Sequence, residues 1–194
     1  MELHVMTTVN QQQRYTTADL EALPDDGTHR ELIAGELIEM PGAKPDHSEL
    51  QGLIVTFLTM FILTHKTGKV LPELGCQLTS NPDTLLFPDV GYVSAARLGT
   101  HDLHHYLPFA PDLAVEIVSP GNTADEMAEK IDLYFQHGAK LIWIVYGRLQ
   151  KVHVYTDHAT SAILDRSGTL DGGDVLPGFT LKVADLFDAT RLHE

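Results

Sequence analysis

Apolar residues recur at helical spacing from Leu50 through Leu53, Ile54, Phe57, Leu58 and Phe61, which predicts a helix from Asp46 or His47 to Lys66 with Gly68 as its stop. A second helical stripe, Ala124, Met127, Ala128, Ile131, Tyr134 and Phe135, follows the candidate cap Thr123 and runs to about His137, where Gly138 closes it. A shorter helix is expected from Thr16 or Thr17 through Leu23, with Asp19 and Glu21 in its first turn and Pro24-Asp25-Asp26-Gly27 breaking the chain after it. Between these helices the pattern turns to strands. Glu31 to Met40 reads as two short strands around Ala34-Gly35. Val70–Thr79 and Leu85–Val93 are strands joined by Asn81-Pro82-Asp83, and Leu113–Val118 is another. Leu141–Tyr146 and Leu149–Tyr155 form a hairpin across Gly147-Arg148, and further short strands run to Val183. Residues 1–14 are polar and patternless and are expected to form a flexible tail. Residues 15–190 show no repeat or linker and read as one α+β domain, α/β/α-like in its layering.

Composition agrees with that picture. At 194 residues, 43% hydrophobic and 21% charged, the chain is not wholesale disordered. The longest apolar run, Leu53–Leu63, spans 11 residues including two threonines. A membrane span needs about 20, so a core helix and no membrane are expected. Met1–Arg14 lacks the pattern of a secretory signal and the single cysteine, Cys76, cannot form an internal disulfide, so the expected location is cytoplasmic. Charge changes the picture more. The formal net charge is −14, whereas a protein that grips nucleic acid through phosphates should be basic, at least locally. The one basic stretch, residues 130–151, holds Lys130, Lys140, Arg148 and Lys151.

Two acids stand in apolar surroundings: Asp89 in Phe87-Pro88-Asp89-Val90, and Glu116 between Val115 and Ile117. Carboxylates are rarely buried alone. Either the two converge from neighbouring strands on a hard cation such as Mg²⁺, or Asp89 starts a turn and Glu116 pairs with a core arginine or lysine. Lys130 falls on the margin of its helix's apolar stripe, beside Met127 and Tyr134. Its stem can run over the core and carry the ammonium to the end of the strand bearing Glu116, or it can pair with Glu126 one turn back. Glu31 opens the first strand and Glu36 the second, and either can add a carboxylate or stay solvated. His47 is an accessory site residue or a partner for nearby backbone. Asp112 lies four residues before Glu116 on one strand, about 13 Å away, too far to share an ion with it. His101, His104 and His105 could bind zinc but lack a fourth ligand, and Cys76 reads as a small core residue. The chain has no glycine-rich phosphate loop or serine nucleophile elbow, so P-loop nucleotide hydrolysis is not expected.

Taken in order, several of these segments resemble the Uma2 family: Glu31 to Met40, His47-Ser48, Pro88-Asp89-Val90, Ala110 to Pro120, Lys130 with Tyr134, Gly138 with Trp143-Ile144-Val145, and Leu176-Pro177-Gly178-Phe179. The resemblance covers about residues 15–187. It implies a PD-(D/E)XK nuclease with a restriction-endonuclease-like core, a central mixed sheet flanked by helices. It also implies that Asp89 and Glu116, with the backbone carbonyl of Ile117, bind Mg²⁺ (or Mn²⁺), that Lys130 is the catalytic lysine and that Glu31 is an accessory acid. The implied reaction is hydrolysis of DNA phosphodiester bonds. One position departs from the superfamily pattern. Val118 stands where the lysine is usually found, and Lys130 on the next helix takes its place. A different class of function also suits the net charge of −14: a non-catalytic homodimeric assembly protein on the same fold, using the His47 helix or the Trp143–Tyr146 hairpin as its dimer face. A homodimer suits both readings.

Overall fold

The structure, a computed structural model, describes residues 14–40 and 42–189. Residues 1–13 of the expected tail lie outside the described residues, and Arg14 is not loose, since its guanidinium donates to the Ala34 carbonyl at 2.7 Å. Thr16 caps α1 (Thr17–Glu21) in a capping box with Asp19, and the helix ends before the expected Leu23. β1 (His29–Ile33) and β2 (Glu36–Met40) pair across Ala34 and Gly35, whose φ values of 50° and 80° make the turn that matches strand twist. α2 (Pro45–His65) begins on proline and ends where Lys66 turns left-handed at φ 54°. Lys66 rather than Gly68 therefore stops the helix. Gly68 instead opens β3 (Gly68–Pro72), where a Cβ would meet the Val93 carbonyl oxygen at 2.2 Å.

The strand expected over Val70–Thr79 is two strands. Pro72 ends β3, Glu73 turns the chain at φ 47°, and β4 (Cys76–Thr79) joins a different sheet. The run Leu85–Val93 divides in the same way into β5 (Thr84–Leu86) and β6 (Val90–Ser94), with Pro88, which has no N–H for a ladder, between them. The chain continues through α3 (Ala95–Leu98), β7 (Leu113–Ile117), α4 (Ala124–Gln136) and β8 (Leu141–Tyr146). A 3-10 turn, Gly147–Leu149, leads to β9 (Lys151–Tyr155) and β10 (Ser161–Leu164). Two short strands, β11 (Thr169–Asp171) and β12 (Thr180–Lys182), precede α5 (Val183–Asp188), a helix at the point where the strand pattern was expected to run out.

The central sheet has six strands in the order β10-β9-β8-β7-β6-β3, and β1, β2, β4 and β5 form a second, antiparallel sheet. In the central sheet β7 and β8 are parallel because α4 makes the crossover between them, and the other pairs are antiparallel. This is the mixed α+β architecture expected, a central mixed sheet with helices. Strand alternation divides its core. Leu113, Val115 and Ile117 pack with Trp143 and Val145 under Leu50, Ile54, Leu58 and Ile62 of α2. Ala114, Ile142 and Ile144 face Ile131 and Tyr134 of α4. By length and composition alone α2 could cross a bilayer; here one of its faces is buried on the sheet. Trp143 is only 1% exposed, so it is core and cannot serve as part of a dimer face. Cys76 is buried in the core as expected.

Candidate active site

The register of the central sheet brings the two acids near each other. Val90 faces Val115 across the antiparallel β6–β7 pair, which sets Asp89, the residue before β6, beside the end of β7 that carries Glu116 and Ile117. By alternation Glu116 points to the α4 side of the sheet, with Ala114. Asp89 sits in the bend between β5 and β6 rather than inside a strand, and the bend fixes it from several directions. Its Oδ2 accepts the Ile117 N–H at 2.6 Å and its Oδ1 lies 3.3 Å from His47 Nε2. Its backbone carbonyl accepts from Gln51 Nε2 at 2.9 Å and from the Glu73 N–H at 3.1 Å.

Lys130 is buried at 5% exposure on α4, at the edge of the inward face beside Met127 and Tyr134. Its Nζ lies 2.9 Å from Glu31 Oε2 and 3.0 Å from Glu116 Oε1. It does not pair with Glu126, whose carboxylate accepts the Thr123 N–H in the capping box of α4. Glu31 is the middle residue of β1 rather than its first, is buried, and accepts the Phe87 N–H on Oε1 at 2.9 Å. Glu36 is exposed. The Tyr134 hydroxyl donates to Glu116 Oε1 at 2.5 Å. Among the described residues both hydrogen bonds to Glu116 thus fall on Oε1, leaving Oε2 for a further ligand.

The charges perturb one another. Burial pushes the Glu116 carboxyl up to about 7; Lys130 and Tyr134 oppose this, and the Asp89 and Glu31 charges add to it. Burial acts to depress the Lys130 ammonium, but Glu116 and Glu31 outweigh it and hold Lys130 above its ordinary value. The bond to Asp89 raises the His47 imidazole despite its partial burial, and the Ile117 carbonyl beside the ring acts in the same direction. Burial, then the Glu116 charge, push the Tyr134 phenol well above its usual range.

Glu31, His47, Asp89, Glu116, Ile117 and Lys130 line a cleft of about 450 Å³ between the small sheet and the end of the large one. The segments leading into α2 and α4 form part of its rim, so two helix N-termini, which favour anions, border it. Asp89, Glu116 Oε2 and the Ile117 carbonyl make a donor set of two carboxylates and one carbonyl. That suits an ion such as Mg²⁺, which keeps several waters and takes few protein ligands. Among the described residues no group of three or more His, Cys, Asp or Glu side chains could hold a metal ion, the exposed His101, His104 and His105 included. Asp112 is engaged elsewhere, by the Ser94 N–H at 2.9 Å and by Arg97 and Lys140. Sequence reasoning assigned no role to Tyr134 or Gln51. Both carry a readable signal in retrospect, Tyr134 one turn after Lys130 and Gln51 one turn after His47 on the same helix faces.

Residues 17–184 match the profile of the Uma2 family, described as a putative restriction endonuclease. The crystal structure of a putative nuclease belonging to DUF820 from Anabaena variabilis ATCC 29413 shares the fold with a TM-score of 0.76. It is 22% identical in sequence, and the match covers 88% of this chain and 96% of that one. No curated protein matches the chain. With a family match over most of its length, and a fold shared with a solved DUF820 structure, the chain belongs to the Uma2 family.

Proposed function

We propose that the protein is an endonuclease that hydrolyses DNA phosphodiester bonds, with Mg²⁺ or Mn²⁺ as its cofactor, and that it acts in the cytoplasm. The observation that carries this reading is the buried Lys130, held between Glu31 and Glu116 on the floor of a cleft that also contains Asp89. A divalent ion held by Asp89, Glu116 and the Ile117 carbonyl would supply Lewis acidity and a water activated for attack on phosphorus. Lys130 stays protonated, so it serves as a donor and a positive charge, not as a base. An ammonium has three N–H donors. Glu31 and Glu116 take two, and the third can reach the attacking water or an oxygen of the phosphate as its charge builds. Glu31, fixed by the Phe87 N–H, holds Lys130 in place. His47 and the Ile117 N–H orient the Asp89 carboxylate from its two oxygens.

Cleavage of plasmid and oligonucleotide DNA with Mg²⁺ or Mn²⁺ tests the reading. Asp89→Asn is expected to abolish cleavage while the circular dichroism stays that of the wild type. A wild type that cuts no DNA with either ion sinks the proposal.

One observation favours the assembly reading. Met60 and Leu63, three residues apart on α2, are 64% and 71% exposed. A homodimer through this face would show as a doubled mass in light scattering, reduced to the monomer by Leu63→Asp. An unchanged mass in that variant removes this face as the contact.

A further inference from the structure

A second groove opens beside the catalytic cleft. It encloses about 530 Å³ and shares Phe87 and Glu73 with the cleft, so the two are neighbours. Its aromatic component is a pair, Phe87 and Tyr106, packed edge to face with centroids 5.7 Å apart. Gly75 lets the Tyr106 ring lie against the backbone, since a Cβ there would come within 2.3 Å of the ring. His104 and His105 line it from an exposed loop. The carboxylates present are Glu21, which faces the Tyr106 hydroxyl, and Glu73. Acids repel a phosphate but accept hydrogen bonds from the N–H edge of a base. Half-buried rings, imidazoles and acids therefore suit a nucleobase and not the sugar-phosphate backbone.

The catalytic floor argues the same way. Glu31, Glu116 and Lys130, which line the cleft, are 2%, 6% and 5% exposed. A strand freed from its partner can follow the lining of such a cleft more closely than an intact duplex, whose phosphates lie on the outside of a wide cylinder. Duplex affinity also rests on neutralising many phosphates. Here the net charge is −14, and Arg30, which lines the cleft, is held by Asp26 and Glu39. Single strands add to their phosphate contacts the stacking of bases on aromatic side chains, and that second part is what this groove offers.

We infer that this groove receives an unpaired base next to the scissile phosphate, so that the substrate is single-stranded or locally melted DNA. The inference rests on the nuclease reading of the cleft. Fluorescence anisotropy with Ca²⁺ in place of the cleaving ion compares a short single strand with the blunt duplex of the same sequence, for the wild type, Tyr106→Ala and Tyr106→Phe. The single strand is expected to bind the wild type at least about tenfold more tightly than the duplex, Tyr106→Ala to lose about tenfold on the single strand, and Tyr106→Phe to keep most of it. Should Tyr106→Ala not fold, 2-aminopurine in the single strand decides the matter on the wild type alone, with its emission expected to fall on binding. Duplex binding as tight as single-strand binding, unchanged binding by a folded Tyr106→Ala, or unquenched 2-aminopurine overturns the inference. Cleavage of intact duplex by the wild type, undiminished in Tyr106→Ala, would also overturn it while supporting the nuclease reading. Failure to bind either DNA overturns both.

Discussion

Lys130 is the residue on which the charge balance of the cleft turns. Two acids lie within 3.0 Å of its ammonium, and none of the three residues is more than 6% exposed. Lys130→Met would leave Glu31 and Glu116 facing each other unpaired. We expect it to cost about 3–5 kcal/mol in chemical denaturation at neutral pH and about 10²–10³-fold in cleavage rate. Adding Glu31→Gln should restore part of the stability and none of the rate. Glu116 makes a pH prediction. Its folded value of about 7 lies above the ordinary 4.5, so the folded state holds the proton more tightly than the unfolded chain. The stabilisation from this group is full below about 4.5 and is lost as pH rises through about 7. The unfolding free energy of the wild type relative to Glu116→Gln should fall accordingly between those limits. Mn²⁺ affinity measured by calorimetry should rise over the upper part of the same range, because the ion needs the ionised carboxylate. The sequence showed that Glu116 needs a partner, and the partner was within reach of helix-wheel reasoning. The role of Glu31 was not, because its counter-ion lies far along the chain and no local pattern records that pairing.

At the scale of elements, the bends matter as much as the strands. The apolar runs 70–79 and 85–93 read as continuous because strand periodicity is blind to which sheet a residue joins. Pro72 and Pro88 were the available signals. Each lacks the N–H a ladder needs, and each marks where the chain crosses from one sheet to the other. Asp89 owes its position to the second crossing. The helices were more legible, since Thr123 and Gly138 bracket α4 in the sequence much as they do in the structure. Thr123→Ala removes one half of its capping box and should destabilise the fold by about 1 kcal/mol in thermal unfolding. Gly68→Ala should be more damaging, at about 2 kcal/mol or more. Its Cβ would meet backbone of β6 at 2.2 Å, and the β3–β6 pairing must give way to admit it. A Gly68→Ala variant that melts with the wild type would show that β3 can shift without cost.

Across the whole molecule the acidic balance and the cleft have to be reconciled. The net charge of −14 was plain from the sequence, but its distribution was not. Lys130, the first lysine of the one basic stretch, is buried with two acids and adds nothing to a surface field. On the cleft rim stand the exposed Lys44 and two helix N-termini, which offers few contacts to phosphate. Single-strand affinity should therefore depend only weakly on salt, with a log–log slope of roughly −1 to −2, since each neutralised phosphate contributes about −0.7. A slope several times steeper would mean a phosphate track elsewhere on the surface. The order of the charged residues along the chain also has a consequence during synthesis. Glu31, Asp89 and Glu116 all leave the ribosome before Lys130, so a nascent chain halted ahead of α4 carries the acids without the cation that balances them. Such a fragment can bury Glu31 beside Glu116 only with a proton between them, and the cleft has no finished floor until the last of the four arrives. The order of translation thereby leaves the closing of the cleft floor to α4.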